Sequence, residues 1–402
     1  MNTFVTDKEE DLPRLAEQLR GGGLVAVPTE TVYGLCCSGL NAQAVDSLYA
    51  AKGRPETKPM SLMVSGEEAM EQLCLDVPEM AHRVAKAAWP GPLTIILKAR
   101  CDRIPNDIRA GGDTIGLRCP RQSLTEALLR ECGVPLAGPS ANPSGKPSPK
   151  TAEEVLEYFD GKIDAVLNGG RCAEGRESTI LDMTHTPYRI LRQGALAERE
   201  LRELLRRQVT LIGITGPTGS GKTTALRLLQ ERGALLLDCD EIYHELTESS
   251  EEMRAELIER FGDIYAGPKL DRKKLGERVF SSPGELQALN SITHRYVKAE
   301  LDRRLEEYAL LGGTLAAADA IALFESGISE RCSATIAVTA PEEQRIRRLM
   351  DRDGISEEYA RLRIRAQQDD SFYQDLCDYT LVNDGTQAIF ETRCRELLDR
   401  VL

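Results

Sequence analysis

The sequence is poor in aromatic residues and has no long apolar run. Aromatic side chains make up 5% of its 402 residues, and there is one tryptophan. Because no apolar stretch approaches the roughly 18 residues that a spanning helix needs, no membrane segment is predicted. The first residues, MNTFVTDKEEDLPRL, lack the basic and apolar regions of a secretory signal peptide. The sequence therefore predicts a cytoplasmic protein.

An excess of positive charge is also missing. Lys and Arg total 51 against 64 Asp and Glu, which gives a net charge of -13. Since proteins hold duplex DNA largely by neutralising its phosphates, this balance argues against a DNA-binding protein. The 11 cysteines include no C-x-x-C pair and no cluster with histidine at zinc-site spacing. We therefore expect reduced thiols, with no disulfide or zinc framework.

What is present is enough length and apolar material for two or three domains. Hydrophobic residues make up 41% of the chain, and domains average roughly 150 residues. Up to about residue 207, short apolar runs alternate with helical patterns and loops rich in Gly, Pro and Ser, which predicts a twisted mixed α/β sheet. The predicted strands are 24–27, 61–64, 93–97, 114–117, 134–137, 165–167, 178–181 and 188–191, and the predicted helices are 42–51, 80–88, 123–130 and 152–159.

The second half has a different pattern. A charged helical stretch at 197–208 precedes a new apolar strand, so we place a boundary near Arg207, with domains 1–207 and 208–402. Beyond it, long helical patterns separated by thin strands predict a P-loop NTPase-type parallel sheet flanked by helices. The predicted helices are 225–231, 251–261, 272–280, 285–308, 342–351, 357–368 and 387–401, and the predicted strands are 235–237, 314–318, 335–338 and 380–382.

One motif in the second half fits at every defined position. Gly216-Pro-Thr-Gly-Ser-Gly-Lys-Thr223 matches G-x-x-x-x-G-K-[ST] between an apolar strand and a helical pattern, as a phosphate-binding P-loop requires. Backbone N–H groups would surround a polyphosphate, Lys222 would reach the β- and γ-phosphates of ATP, and Thr223 would hold Mg²⁺. The predicted ATP site comprises Gly216, Gly219, Ser220, Gly221, Lys222, Thr223 and Thr224.

Charged residues beyond the P-loop supply further candidates. The next strand ends in Asp238-Cys-Asp240, where a carboxylate could accept a proton from a substrate hydroxyl, orient Mg²⁺ or cap a helix. An apolar strand ending in Asp319 is a weak Walker-B-like signal. Four arginines lie on one later helical segment, namely Arg345, Arg347, Arg348 and Arg352. They would form either a lid over phosphates or a solvated basic face.

Residues 209–402 resemble dephospho-coenzyme A kinase. The P-loop is followed in order by LLLDCDEI, LDRKKLGERVFSSPGELQALNSITH, DAIALFESGI, TAPEEQRIRRLMDRDGISEEYARLRIRAQ and LVNDGT. The resemblance implies ATP-dependent phosphorylation of the ribose 3′-hydroxyl of dephospho-CoA, with Lys222 and Asp240 as catalytic residues. The other residues it implies are Arg348 and Arg352 in a lid, and Arg272 and His294 facing the CoA substrate.

Three segments depart from the usual pattern of that family. Pro217-Thr218 replaces Gly-Ile in the P-loop, and Ile321 stands where proline is usual. Arg295 replaces the proline that usually follows the histidine at position 294. These changes spare the phosphate site but affect the acceptor pocket. Another small hydroxyl substrate, such as a nucleoside, therefore stays open as the acceptor.

The first half has no Walker motif but carries polar loops near the ends of its predicted strands. They are PTETVYG at 28–34, KGRPETKP at 52–59, PGPLT at 90–94, GPSAN at 138–142, SGKPS at 144–148, ESTI at 177–180 and LRQG at 191–194. Lys52, Arg54 and Lys58 place three basic side chains on one loop, which suits a triphosphate. The residues alone predict an anion-binding α/β domain.

Together and in this order, these loops resemble the YrdC-like threonylcarbamoyl-AMP synthase family over residues 10–195. The resemblance implies formation of L-threonylcarbamoyladenylate from L-threonine, bicarbonate or CO₂, and ATP, with release of pyrophosphate. The product would serve tRNA threonylcarbamoyladenosine modification, with transient contact to tRNA-modifying partner proteins or tRNA. A non-catalytic RNA-binding or regulatory module is the alternative.

The resemblance also implies site residues in the first half. Lys52 and Arg54 would be catalytic at the ATP phosphates. The implied nucleotide site contains Arg54, Lys58, Thr114, Ser140, Asn142, Ser148 and Arg192, and the implied threonine site contains Thr31, Arg118, the Gly138 backbone and Ser178. No residue is a clear covalent nucleophile, so positioning and charge neutralisation would supply catalysis. Met63 stands where some members carry a polar threonine-contacting residue, and the kinase-like half follows where longer synthases carry a further domain.

Overall fold

The structure is a computed structural model that describes residues 2–279 and 282–402. It divides into two compact units. The N-terminal unit contains the residues up to Gln208 together with Leu310–Gly312, and the C-terminal unit contains Val209–Ala309 and Gly313–Leu402. A mixed sheet forms the first unit and a parallel sheet the second, which confirms the predicted fold class of each half.

The N-terminal unit is built on a sheet of 11 strands. The strands are β1 (Phe4–Thr6), β2 (Val25–Val27), β3 (Gly34–Ser38), β4 (Leu62–Met63), β5 (Cys74–Leu75), β6 (Leu93–Ala99), β7 (Thr114–Arg118), β8 (Leu136–Ala137), β9 (Ala165–Leu167), β10 (Thr179–Asp182) and β11 (Arg189–Arg192). The helices are α1 (Leu12–Arg20), α2 (Ala42–Lys52), α3 (Ala69–Leu73), α4 (Glu79–Ala88), α5 (Ser123–Cys132), α6 (Ala152–Phe159) and α7 (Glu198–Arg207).

Neighbouring strands of this sheet are mostly distant in sequence. The order is β1-β9-β2-β3-β8-β4-β7-β6-β10-β11, and β5 pairs with β6. Both parallel and antiparallel pairs occur, since β6 pairs parallel with β10 and antiparallel with β7. The polar loops that follow α2 and β8 and that precede β10 therefore come from distant parts of the sequence. This order of strands allows these three loops to lie at the same site.

The C-terminal unit has a parallel sheet ordered β13-β16-β12-β17-β18. Its strands are β12 (Thr210–Thr215), β13 (Leu235–Asp238), β16 (Leu315–Asp319), β17 (Ala334–Thr339) and β18 (Tyr379–Val382), and a separate hairpin contains β14 (Tyr265–Ala266) and β15 (Lys269–Leu270). The helices are α8 (Lys222–Glu231), α9 (Cys239–Ser249), α10 (Glu251–Phe261), α11 (Arg272–Val279), α12 (Pro283–Leu310), α13 (Glu342–Asp353), α14 (Glu357–Arg365), α15 (Asp370–Leu376) and α16 (Gln387–Val401).

A large apolar cluster of this unit packs against the central strands of the sheet. Ile212, Ile214 and Val338 from the sheet are buried with Leu229 of α8 and Phe390 of α16. Apolar residues recur every three or four positions along these helices, so each helix buries one face against the sheet. The sheet places the carboxyl ends of β12, β13 and β16 side by side, where ligands bind in open α/β sheets.

Several elements differ from the sequence-based expectation. The strand β3 and the helices α1, α9 and α15 were not predicted, and the helix predicted at 357–368 ends at Arg365. The helix predicted at 272–280 runs over Arg272–Val279, and its last predicted residue lies outside the described residues. In β3, the sequence GLCCS reads as a loop because Gly and Ser flank its two cysteines. Its five residues are nonetheless all buried, between β2 and β8.

Candidate functional sites

A cleft of about 250 Å³ opens on the sheet of the N-terminal unit. The predicted site residues on its wall are Arg54, Arg118, Gly138, Ser140, Ser178 and Arg192. They lie at the ends of α2, β7, β8, β10 and β11, which are far apart in sequence. The fold thus collects three guanidinium groups, two hydroxyls and a glycine backbone around one space.

Ser178 lies at the centre of a hydrogen-bonded group in this cleft. Its hydroxyl is 2.8 Å from the hydroxyl of Thr94. Nη2 of Arg192 donates to the Ser178 hydroxyl at 3.2 Å and to the Ser178 carbonyl at 2.9 Å. Burial lowers the pKa of Arg192, an effect that Glu177 opposes and Arg118 reinforces. The concentrated positive charge would be relieved by an anionic ligand.

Lys52 is not on the cleft wall. Gly53 adopts a left-handed φ of 57°, so α2 ends at Lys52. Nζ of Lys52 donates to the Ser140 carbonyl and, at 2.5 Å, to the Asn142 carbonyl. Burial and, secondarily, the neighbouring Arg54 lower the pKa of Lys52 to about 7. Lys52 therefore holds the 140–142 loop, and the structure does not form the expected cluster of three basic side chains from the 52–58 segment.

The segment after Gly53 folds around the guanidinium of Arg54. Its Nε donates to the Lys58 carbonyl at 3.2 Å and its Nη2 to the Pro59 carbonyl at 2.9 Å. Burial lowers the pKa of Arg54. The Lys58 side chain is exposed and is not on the cleft wall. Arg54 is thus the basic residue of this segment that faces the cleft.

Other predicted residues support the site from behind. Thr31 is fully buried, and its hydroxyl lies 2.8 Å from that of Thr29. Nδ2 of Asn142 donates to the carbonyls of residues 143 and 146, so Asn142 shapes the turn after β8. Ser148 donates to Glu177 at 2.8 Å, and this hydrogen bond lowers the pKa of Glu177. Thr114 begins β7 and is absent from the wall.

Several wall residues had no predicted role, among them Ser61, Thr94, Ile96, Glu177 and Ile180. Thr94 and Glu177 lie within the PGPLT and ESTI segments, so the signal for them was present in the motifs. Met63 forms an apolar part of the wall. A Cβ added at Gly138 would lie 2.7 Å from Cε of Met63, and one added at Gly34 would lie 2.8 Å away. A larger residue at either position would therefore require the Met63 side chain to shift.

The P-loop of the C-terminal unit has the predicted strand–loop–helix geometry. It joins β12 to α8, which begins at Lys222. Gly216, Gly219 and Gly221 have φ of 134°, 78° and 104°, a region that other residues seldom adopt. Nζ of Lys222 is 3.0 Å from the Gly216 carbonyl, so the lysine folds back over the loop. Thr223 is exposed at the second position of α8.

Side chains from later elements hold this loop by its main chain. Oε1 of Gln367 accepts from the Thr218 N–H at 2.8 Å, and Nδ2 of Asn383 donates to the Ser220 carbonyl at 2.9 Å. The hydroxyl of Thr224, at the third position of α8, accepts from Gln387 at 3.2 Å. The loop is thereby fixed before any ligand arrives.

The four arginines expected to form either a lid or a solvated basic face lie on α13 and have different partners. Nε of Arg345 donates to the Thr218 carbonyl at 3.0 Å. Nη1 of Arg348 donates to the carbonyls of residues 219 and 220, each at 3.1 Å, and burial lowers the pKa of this guanidinium. Arg352 instead pairs with Asp353 at 2.7 Å and is largely exposed. Contact with the P-loop is therefore shown for two of the four.

Three carboxylates stand at the carboxyl edge of the sheet. Asp238 caps α9, accepting from the N–H groups of Asp240 and residue 241 at 2.9 and 3.0 Å. Burial, followed by the charge of Asp238, raises the pKa of Asp240. Burial also raises the pKa of Asp319 to about 6; Lys222 opposes this shift, and the other two carboxylates add to it. These effects place the three carboxylates within electrostatic range of one another and of Lys222.

Asp240 also lines a cavity of about 200 Å³. The opposite wall comes from α12 and includes His294, and apolar residues such as Val297 and Ile321 complete it. Burial lowers the pKa of His294, so the imidazole favours its neutral form at pH 7. A wider cleft of about 850 Å³ shares His294 and continues along α12. The carboxylate thus faces a space next to the P-loop that can receive an acceptor molecule.

Arg272, predicted on the acceptor side, and Arg295, which departs from the family pattern, both lie elsewhere than at this cavity. Nη2 of Arg272 is 3.2 Å from Nδ1 of His244, and Arg272 is not among the residues that line the cavity. Arg295, which stands where proline is usual, pairs with Glu256 and lines only the wider cleft. The substitution at position 295 therefore does not narrow the cavity of Asp240.

Two family models match the chain. One, described as "Telomere recombination" and of the Sua5/YciO/YrdC type, matches residues 17–194, and the other, described as "Dephospho-CoA kinase", matches residues 210–388. A dephospho-CoA kinase of Corynebacterium diphtheriae is 37% identical over 192 residues, which are 47% of this chain and 96% of that protein. Through its C-terminal unit, the chain belongs to the dephospho-CoA kinase family. The resemblance predicted for this kinase domain is confirmed.

The N-terminal unit has relatives of another kind. A threonylcarbamoyl-AMP synthase of Pyrococcus abyssi is 42% identical over 187 residues, which are 46% of this chain and 55% of that protein. The chain likewise spans 59% of a Bacillus subtilis synthase. A crystal structure of P. abyssi Sua5 with L-threonine is 25% identical, covers 82% of this chain and 95% of that chain, and has a TM-score of 0.49. The chain thus combines a domain that matches the Sua5/YciO/YrdC family model with a dephospho-CoA kinase domain.

Proposed function

We propose that the C-terminal unit transfers a phosphoryl group from ATP to the 3′-hydroxyl of dephospho-CoA. The observation that carries this proposal is the placement of Asp240 in a cavity beside the P-loop, with His294 across from it. Lys222 and the loop N–H groups would hold the transferring phosphate in line with that cavity. Asp240, whose pKa is raised by burial, would accept the proton of the attacking hydroxyl. His294 would help to hold the acceptor.

Mg²⁺ fits the donors available at this edge. The exposed hydroxyl of Thr223 and the carboxylates of Asp238 and Asp319 are oxygen ligands of the kind that Mg²⁺ prefers. Among the described residues, no group of three or more metal-binding side chains stands together, so phosphate oxygens would have to complete the coordination. When bound, Mg²⁺ would neutralise charge on the β- and γ-phosphates.

The kinase proposal is tested by incubating the purified chain with Mg·ATP and dephospho-CoA and weighing the product. Asp240→Asn should bind ATP normally but lose turnover about 10²–10⁴-fold, the usual contribution of a general base. Asp375→Asn is the matched control, because Asp375 is exposed on α15 and is not among the residues that line the cavity. In a parallel incubation that contains a nucleoside in place of dephospho-CoA, formation of a nucleoside phosphate, together with no CoA in the first incubation, would show that the acceptor is a different small hydroxyl compound.

We further propose that the N-terminal unit forms L-threonylcarbamoyladenylate and pyrophosphate from L-threonine, bicarbonate or CO₂, and ATP. The observation that carries this proposal is the cleft where Arg54, Arg118 and Arg192 meet the hydroxyls of Ser140 and Ser178. Arg54, Ser140 and Arg192 would face the nucleotide, and Arg118 with Ser178 would face threonine. The described wall residues include no cysteine, histidine or lysine. Catalysis would come from alignment and charge neutralisation at the α-phosphate.

The synthase proposal is tested by pyrophosphate release that depends on both threonine and bicarbonate. Arg54→Ala should abolish this release and leave CoA formation intact, because Arg54 lines the N-terminal cleft alone. Lys86→Ala is the matched control, since Lys86 is exposed on α4 and off the wall. Binding of tRNA by wild type without pyrophosphate release would favour the RNA-binding alternative instead.

The product of the N-terminal unit would serve the threonylcarbamoyladenosine modification of tRNA, with transient contacts to tRNA or to tRNA-modifying proteins. We place both activities in one bifunctional enzyme of the cytoplasm. All 11 cysteines are free thiols, as expected in a reducing compartment. Over the part of the chain that the structure describes, no helix is long and apolar enough to span a membrane.

A further inference from the structure

A buried ion pair lies at the cleft of the N-terminal unit. Nη2 of Arg118 is 2.9 Å from Oε2 of Glu30, and the two side chains are only 8% and 4% exposed. Arg118 forms part of the cleft wall, whereas Glu30 is not among the lining residues. The pair therefore joins a wall residue to a charge that lies behind the wall.

Main-chain contacts fix both members of this pair. The Glu30 carboxylate accepts from the Arg121 N–H at 3.1 Å, and the Glu30 carbonyl accepts from the Glu174 N–H at 2.8 Å. Nε of Arg118 donates to the Gly91 carbonyl at 3.4 Å. Because the carboxylate is anchored, it can hold the guanidinium in one orientation.

Hydrogen-bonding capacity is left over on both partners. Oε1 of Glu30 is buried and forms no hydrogen bond with any residue that the structure describes. Nη2 of Arg118 is also buried, and its 2.9 Å contact with Oε2 of Glu30 is an ion pair that lacks hydrogen-bond geometry. Buried polar atoms without partners are costly, and a buried ion pair contributes little to stability by itself. A contribution to folding stability therefore does not explain why this ion pair is buried here. A ligand carboxylate would supply the acceptor that is missing at the Arg118 guanidinium.

We infer that Glu30 is a positioning residue that orients the Arg118 guanidinium toward the α-carboxylate of L-threonine. This inference rests on the synthase function proposed above. Glu30 does not touch the ligand; it keeps Arg118 from turning away within the wall. A guanidinium binds a carboxylate in a planar, directional way, so its orientation decides the strength of the contact.

Glu30→Gln tests this role, because it keeps the size and the acceptor for the Arg121 N–H while removing the charge. We expect L-threonine binding, measured by calorimetry, to weaken ~10-fold or more, about the effect of one charge-assisted hydrogen bond. ATP binding should stay within about twofold, since Glu30 acts at the threonine end alone. In steady state, KM for threonine should rise more than kcat falls. Glu30→Asp, which keeps the charge, should recover part of the affinity.

A fold control is needed because Glu30→Gln leaves a buried guanidinium without its counter-charge. The double variant Glu30→Gln/Arg118→Met removes both charges and should restore the melting temperature without restoring threonine binding. Wild-type threonine affinity in Glu30→Gln would overturn the inference, as would an equal loss of ATP and threonine affinity. If wild-type protein bound ATP but no L-threonine, the synthase proposal itself would fall, and the role of Glu30 with it.

Discussion

Replacing Asp319 by asparagine should stabilise the kinase unit at neutral pH. The pKa of Asp319 is raised to about 6, chiefly by burial, from an ordinary value near 4. A carboxyl with a raised pKa binds its proton more tightly in the folded state than in the unfolded state. The free energy of unfolding therefore falls as pH rises from about 4 to about 6, and the loss persists above that range.

The size of the effect follows from the two pKa values. At 1.36 kcal/mol for each unit, their difference of about two corresponds to at most about 3 kcal/mol at pH 7. Asp319 is partly exposed, and Lys222 loses a nearby counter-charge in the variant, so both factors reduce the gain. We expect Asp319→Asn to raise the unfolding free energy of the kinase unit by about 1–2 kcal/mol at pH 7, and the gain to vanish toward pH 4.

The single tryptophan allows the two units to be followed separately. Trp89 lies in the N-terminal unit, so its fluorescence reports that unit, whereas scanning calorimetry records both. Between pH 5 and 8, the calorimetric transition of the kinase unit should move to higher temperature in Asp319→Asn, while the Trp89 transition stays in place. A variant no more stable than wild type at pH 7, or a gain that does not change with pH, would refute the reasoning.

Lys52→Met should lower the unfolding free energy of the N-terminal unit by about 2–4 kcal/mol, because two buried carbonyls lose their donor. Urea titration followed by fluorescence measures this loss, and Lys58→Met at an exposed position should show none. Gly221→Ala should abolish CoA formation, since the added Cβ would lie 2.3 Å from Nδ2 of Asn383 at a φ of 104°; wild-type turnover would contradict this close packing of the P-loop. The chain cut near residue 208 should give two fragments that each melt cooperatively, and failure of both would show that the units depend on one another.

The P-loop could be predicted from sequence because its geometry is local. Three glycines with positive φ and a following helix are specified by neighbouring residues. Most strands were likewise found within a few residues of their true bounds. The family resemblance of both halves could also be predicted, because it depends on the order of several motifs along the chain.

The direction of individual side chains could not be predicted in the same way. Lys52 belongs to a basic segment that suits a phosphate, yet it lies under the 140–142 loop. That outcome depends on a tertiary contact with residues far along the chain. Arg352 shares a helix with Arg348, but its adjacent aspartate holds it away from the P-loop. No sequence pattern pointed to a role for Glu30, because the ion pair with Arg118 joins two segments that are distant in the sequence.

The order of strands in the kinase unit has a consequence for its synthesis. β12 is the first strand of that unit to leave the ribosome, yet it lies between β16 and β17, so that Leu211 pairs with Ala316 and Gly213 with Thr335. Because the chain is synthesised at roughly 5–20 residues per second, this apolar strand stays unpaired for several seconds before either neighbouring strand is made. The N-terminal unit has nearly all of its sequence by then and can fold first. During translation, the kinase half is therefore the part of the chain that is open to aggregation and to binding by chaperones.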